Sequence, residues 1–340
     1  GPGMIADKAD AEILPVRIDG AQFTPFSRLR GKVRLRWFPK ITLTFLPPRK
    51  IDVADGITGR DRRKQIGLKL YDELSDLIFE TRPQDKTLFD ALVDARGIYG
   101  GGATIAEDTA RKPMTYNGLI TAALALGRRL AAETRPHERV GVFLPNSLGV
   151  LATFFGLQAY GRVPAMLNYS AGAANLLAAC KAAELRSIVI SGRFVELAKL
   201  GDTVAALEKD HNLIWLEDIR GEIGPGARLL AFLAARLARW RASPASPQDP
   251  AAVLFTSGSE GTPKGVVLSH ANILSNCYQL AARVDFNASD RVLNALPVFH
   301  SFGLTGGTIL PVLFGIHTFL YPSPLHYRVV PALAYDMNAT

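Results

Sequence analysis

Cysteine is scarce in this sequence: 340 residues hold two, Cys180 and Cys277. Far apart, they form no metal-ligand or redox spacing, which argues against a zinc site, an iron–sulfur cluster or a disulfide framework and for a reduced, cytosolic setting. No G-x-G-x-x-G stretch occurs, so a dinucleotide-binding Rossmann unit is not expected. The Walker loop is missing as well. Five positions after Gly258 stands Pro263, and Gly265 follows Lys264 where that loop requires Ser or Thr. Internal repeats and a secretory signal are absent. Two uncharged stretches approach membrane-spanning length, 141–161 and 302–327. The first is broken by Pro145-Asn146, the second by Pro311, His317 and Pro322, and each reads as a buried strand joined to a buried helix. Acidic residues are absent between Arg28 and Lys50, where Arg28, Arg30, Lys32, Arg34, Arg36, Lys40, Arg49 and Lys50 stand. These eight carry the whole net charge of +8, leaving 31 basic and 31 acidic residues elsewhere.

What is present describes a soluble globular α/β protein, 48% apolar and 21% charged, long enough for more than one unit. Its centre is 251–272, AAVLFTSGSEGTPKGVVLSHAN. An apolar run enters a loop of small residues and a second β-rich run leaves it. Glycines allow backbone N–H groups to approach an anion closely, hydroxyls add donors, and Lys264 supplies a mobile cation. Such a loop suits an oligophosphate. TSGSEGTPKG resembles the phosphate loop of the adenylate-forming enzymes: acyl-CoA synthetases, acyl-carrier-protein synthetases, luciferases and peptide-synthetase adenylation domains. The resemblance implies ATP and Mg²⁺ as cofactors. Thr256, Ser257, Gly258, Ser259, Gly261, Thr262 and Lys264 would hold the phosphates, with Pro263 and Glu260 in the same loop. Glu260 stands where relatives commonly carry a hydroxyl, and a carboxylate beside triphosphate is repulsive unless it turns outward or towards metal.

Downstream, VLNALPVFHSFGLTGG fits the LPxFHxxG motif of the same family. The fit implies that His300, with Phe302 and Gly303, lines the carboxylate end of an acyl pocket. Ser269 reads as the N-cap of a helix over 271–283. From residue 81 on, helix and strand patterns alternate, as a parallel, helix-covered sheet requires. The resemblance makes 81–340 the partial large N-terminal domain of an adenylate-forming enzyme. The adenine-binding Tyr-Gly-x-Thr-Glu segment, the ribose-binding Asp, the hinge and the small domain with its catalytic Lys are not among these residues. The expectation is therefore a catalytically incomplete chain, with no complete catalytic set, no metal ligand assigned, and a further strand due after Thr340.

Residues 4–80 read as a separate unit, and Gly1-Pro2-Gly3 before Met4 as a tag-cleavage scar. ILPVRIDGAQ predicts a buried strand ending at Asp19-Gly20, and ITLTFLPP another. Over 28–36 the basic residues alternate with Val33 and Leu35, predicting an extended segment with one charged face. The span 61–79 predicts an amphipathic helix with Ile66, Leu70, Leu74 and Leu77 inward. The order of these segments resembles the C-terminal end of the glycerophospholipid acyltransferase domain. That domain works through an HxxxxD motif, and none of the six histidines here has an aspartate five residues on, so the unit reads as a C-terminal remnant. Residues 228–241, RLLAFLAARLARWR, predict a basic amphipathic helix, one that lies on an anionic membrane or packs on its own domain. Residues 243–250 read as a linker.

An acyltransferase tail joined to an adenylate-forming domain resembles the bacterial fusions of a lysophospholipid acyltransferase with an acyl-carrier-protein synthetase. The partners implied are a long-chain fatty acid, acyl carrier protein or CoA, a lysophospholipid and an anionic membrane surface, at the cytoplasmic face of the inner membrane. A plain acyl-CoA synthetase and a non-catalytic membrane-docking module using the basic segment 28–50 are the alternatives. Nucleic acid is not an expected partner, since the segment offers only Trp37 and Phe38 for stacking and no recognised motif.

Overall fold

Short apolar runs separated by prolines give the first strands, β1 (Val16–Asp19) and β2 (Thr42–Phe45), which pair antiparallel with Val16 opposite Phe45 and Ile18 opposite Leu43. The computed structural model describes all residues except 30, 31, 84, 238–243 and 258–262, and of Ser257 the backbone only. These strands belong to the first of two units, Gly1–Pro83 with Tyr278–Asp285. Direct cross-strand partners share a face, so Val16, Ile18, Leu43 and Phe45 lie together, and all four are exposed. The expected buried strand is thus short and open on its apolar side. The reason is on its other side: Arg17 there donates to the Ile78 carbonyl at 3.0 Å and pairs with Asp19 at 2.8 Å.

Two further expectations for this unit change. Described residues of 28–36 form turns and irregular chain rather than a strand, and Leu29, Leu35 and Trp37 are exposed alongside the charges. In the helix Gly59–Glu80, Ile66 and Leu77 are buried and Leu70 is half-buried, but Leu74 faces outward. Its place in the inward stripe goes to Glu73, whose carboxylate takes the Arg49 guanidinium at 2.8 Å. A stripe of 66, 70, 73 and 77 follows the helical period as well as one through 74. Arg49 and Lys50 are thereby spent on ion pairs, Lys50 with Asp10 at 2.6 Å. The tag-like Pro2 and Gly3 open a helix, Pro2–Ala9, in which Gly3 is buried.

Among its described residues the second unit, Gln84–Cys277 with Phe286–Thr340, holds ten strands: β3 (Thr104–Asp108), β4 (Met114–Thr115), β5 (Arg139–Phe143), β6 (Val163–Met166), β7 (Ser187–Ile190), β8 (Asn212–Trp215), β9 (Pro250–Ser257), β10 (Pro263–Ser269), β11 (Arg291–Asn294) and β12 (His317–Leu320). They make a six-stranded sheet in the order β10-β9-β6-β5-β7-β8 and a four-stranded one in the order β11-β12-β3-β4. Both are parallel apart from the β9–β10 and β3–β4 pairs. β6 and β7 are buried residue for residue, as parallel strands covered on two faces must be.

The helix Leu148–Ala159, LGVLATFFGLQA, is buried from Val150 to Ala159. An apolar surface all round suits a helix in contact with both sheets, and it touches β5 and β6 of one and β3 of the other. The helix Tyr116–Glu133 crosses it where Gly127 meets Gly156, and a side chain at Gly127 would stand 2.8 Å from the Gly156 carbonyl carbon. Among the described residues no helix is long and apolar enough to cross a membrane, and both uncharged stretches are the strand-and-helix pairs their prolines predict.

Candidate functional site

Parallel strands joined by helices leave their C-terminal ends at one edge, and ligands of such sheets bind there, where the chain leaves a strand for opposite sides. Here that place is β5, flanked by β6 on one side and β7 on the other. The segments that follow supply an aromatic cluster. Tyr169, after β6, packs edge-on against Phe194, after β7, and against Phe299, each at 4.9 Å between ring centres. Phe143, the last residue of β5, lies 6.4 Å from Tyr169. Burial pushes the Tyr169 phenol up to about 12, so it stays neutral, and its hydroxyl donates to the Pro322 carbonyl at 3.4 Å.

His300 stands beside this cluster, its ring 4.8 Å from that of Phe299, with its side chain exposed. Exposure sets it apart from a core histidine. Gly303 is buried one turn on, and only a residue without a side chain fits: a Cβ would lie 2.7 Å from the Leu296 carbonyl oxygen. Phe302 is exposed and lies over Gly306. Two buried asparagines hold this segment in place. Asn146 donates to the Leu296 carbonyl at 2.7 Å and accepts from the Val298 N–H at 3.0 Å. Asn294 donates to the Gly303 carbonyl at 3.0 Å and to Thr308 at 2.9 Å.

The second part of the site hangs between β9 and β10. The antiparallel register sets Lys264 opposite Thr256 and Pro263 opposite Ser257, so the ends of the glycine-rich loop are brought together. Gly258, Ser259, Glu260, Gly261 and Thr262 lie outside the described residues, as does the side chain of Ser257. Lys264 is exposed, and no carboxylate pairs with it among the described residues. A strand-end lysine without an internal anion fits an anionic ligand. Past β10, Ser269 accepts from the Asn272 N–H at 3.1 Å while Asn272 accepts from the Ser269 N–H at 3.0 Å, the reciprocal cap its sequence predicts. Among the described residues no hydrogen bond, ion pair or ring contact joins the Thr256–Lys264 pair to the His300 segment. No group of metal-ligating side chains occurs among them either. Burial pushes the thiols of Cys180 and Cys277 up to about 12, as expected of inert core cysteines.

Comparison with known proteins decides the family. The family described as "AMP-binding enzyme" matches residues 94–338. The chain belongs to the AMP-binding enzymes. Among curated relatives, the sulfoacetate–CoA ligase of Cupriavidus necator is 30% identical over 66% of this chain and 46% of its own length. The long-chain-fatty-acid–AMP ligase FadD32 of Mycobacterium marinum is 26% identical over 58% of this chain and 30% of its own. In fold, the chain is similar to a fatty acyl-adenylate ligase from L. pneumophila solved with acyl adenylate and pyrophosphate. The TM-score is 0.60 at 21% identity, covering 76% of this chain and 44% of that one. The chain spans less than half the length of these relatives. Enzymes of the AMP-binding family use ATP, which agrees with an exposed lysine at the end of a glycine-rich loop.

Sequence reading found the loop and the His300 segment but missed Asn146, Asn294 and Tyr169. Asn146 was visible only as half of a turn, Pro145-Asn146. A polar residue between a buried strand and a buried helix was the available signal.

Proposed function

We propose that this chain is the nucleotide- and acyl-binding part of a ligase that activates a long-chain fatty acid with ATP, and that the whole protein passes the acyl group to acyl carrier protein and then to a lysophospholipid. The observation that carries the first half is the β9–β10 hairpin, which closes a glycine-rich loop at the C-terminal edge of a parallel sheet, with Lys264 exposed at its end and in no ion pair among the described residues. A carboxylate cannot expel oxide, so one of its oxygens attacks the α-phosphorus of ATP. The bond from that phosphorus to the bridging oxygen breaks, and pyrophosphate leaves with the electron pair. A thiolate then attacks the acyl carbon and AMP departs. The loop donors and Lys264 would take up charge on the departing pyrophosphate. Mg²⁺, when bound, would neutralise part of the same charge. The aromatic cluster of Tyr169, Phe299 and Phe194 gives the acyl chain an apolar neighbour, and the exposed His300 faces its polar end.

The coupling to lysophospholipid, the carrier protein and the location at the cytoplasmic face of the inner membrane rest on the resemblance of 4–80 to an acyltransferase tail. They are supported further by the exposed cations Arg28, Lys32, Arg34, Arg36 and Lys40. That reading makes the whole protein a bifunctional acyl-carrier-protein synthetase/2-acylglycerophosphoethanolamine acyltransferase.

Pyrophosphate exchange in the complete protein tests the core of it. Lys264→Ala should lower the palmitate-dependent exchange rate by roughly 10²- to 10³-fold, the loss expected for a donor that acts on transition-state charge, with the thermal midpoint unchanged. An unaltered exchange rate removes Lys264 from the reaction. Supplying holo carrier protein or CoA as the acceptor then separates the two thiols.

A further inference from the structure

The helix Pro225–Arg236 packs by the wrong face for an ordinary surface helix. Its buried residues are Ala231 and Ala235, with Ala227 half-buried one turn earlier, and this alanine row lies against the helix Tyr116–Glu133. On the opposite face Leu229, Leu230, Phe232, Leu233 and Leu237 are 58%, 56%, 40%, 48% and 63% exposed. At 100° per residue these five span an arc centred opposite Ala231. The only charges on the helix are Arg228 and Arg236. Arg228 projects beside that arc, while Arg236 projects within it between Phe232 and Leu229 and lies over the Phe232 ring, 4.0 Å from its centre. The sequence carries no acidic residue between Glu222 and Asp249, while Arg239 and Arg241 follow the helix.

We propose that this helix is a monotopic docking element: its leucine face enters the interfacial region of an anionic phospholipid bilayer and its arginines meet the head groups. Five adjacent large apolar side chains turned to water are costly to leave uncovered. The charge pattern names the occupant. A helix whose charges are all arginines, in a stretch without carboxylates from 223 to 248, beside an apolar stripe matches a surface that is anionic outside and hydrocarbon within. A second copy of the chain would bring its own arginines against these, like charge on like. The helix has twelve residues and so lies in the interface without crossing it. The proposal does not depend on the ligase chemistry, and it names a surface other than the basic segment 28–50.

The test is co-sedimentation of the 340-residue chain with vesicles carrying roughly one anionic lipid in three. The triple variant Leu229→Gln, Leu233→Gln, Leu237→Gln keeps every charge and should fold, because its side chains face water. It should bind such vesicles at least about tenfold more weakly than the parent, and the parent should bind neutral vesicles less well than anionic ones. The parallel variant Lys32→Gln, Arg34→Gln tests the basic segment. Binding lost there but kept in the leucine variant overturns the helix and leaves the segment standing. Loss in the leucine variant, with or without the other, supports the helix. A second measurement stands if the triple variant misfolds. Since Cys180 and Cys277 are buried, Leu233→Cys carries an environment-sensitive dye at one place. Blue-shifted emission on adding anionic vesicles is expected. The same shift on raising protein concentration without lipid would show a second copy on this face and overturn the proposal.

Discussion

At the scale of single residues, the candidate site depends on buried amides that hold the chain before His300 in place. Asn146 is 2% exposed and uses both ends of its amide on the chain between β11 and His300. An amide does this and neither a carboxylate nor an alkyl group can, because one end must donate to the Leu296 carbonyl while the other accepts from the Val298 N–H. Asn146→Ala leaves the buried Val298 N–H and the part-buried Leu296 carbonyl unmet, a loss of about 1–3 kcal/mol. It also frees the segment that places His300 and Phe299. The expected outcome is a lower midpoint in chemical denaturation together with a raised KM for the fatty acid in the complete protein. A variant that loses stability with no change in KM would confine Asn146 to a scaffolding role.

At the scale of elements, the strands of the second unit were legible because each buried strand is a short apolar run with nothing to alternate against. SIVI of β7 is an example. One helix start was legible from its capping hydroxyl, Ser269, to which the structure adds the returning bond of Asn272 and a second capping box, Thr87 with Asp90, that the sequence reading did not name. What periodicity did not show is which of two faces packs. In Pro225–Arg236 the leucines mark one face and the alanines another, and the alanines win the contact because they let two helices approach closely. Leu74 and Glu73 compete in the same way, settled by Arg49. A close approach, Gly127 against Gly156, joins two helices whose sequences give no sign of each other. A side chain at Gly127 would also lie 2.7 Å from the Tyr160 ring, and relieving its contact with the Gly156 backbone requires the two helices to move apart. Gly127→Ala should therefore cost about 1–3 kcal/mol through overpacking, although alanine favours helix by roughly 1 kcal/mol over glycine. Thermal melts decide the sign. A raised midpoint would mean that the two helices part without loss.

At the scale of the whole molecule, stability should fall on mild acidification, and one histidine carries much of the fall. His270 is 1% exposed and accepts the Leu88 N–H on Nδ1 at 3.1 Å, joining the start of the helix Leu88–Tyr99 to the end of β10. Burial lowers its pKa to about 4, with Asp249 and Asp90 nearby opposing part of that shift. The imidazole is thus neutral in the folded chain and titrates near 6.5 in the unfolded one. Above pH ~6.5 its contribution to stability is intact. As pH falls towards 4, the unfolded state takes up a proton that the folded state refuses, and the loss reaches about 3 kcal/mol. His317, also lowered by burial, adds to the same slope, and the partnered carboxylates Asp7 and Asp249 join at its acid end, as pH falls through ~4, so the parent curve alone does not isolate His270. His270→Asn does, since its amide oxygen can accept from Leu88 and does not titrate. Between pH ~6.5 and 4 the variant's stability should decline less steeply than the parent's, by up to about 1.4 kcal/mol per pH unit, with the curves parallel above that range. Denaturant titrations at half-unit steps make the comparison, and parallel curves throughout would show that His270 takes up its proton as readily in the folded protein as in the unfolded one.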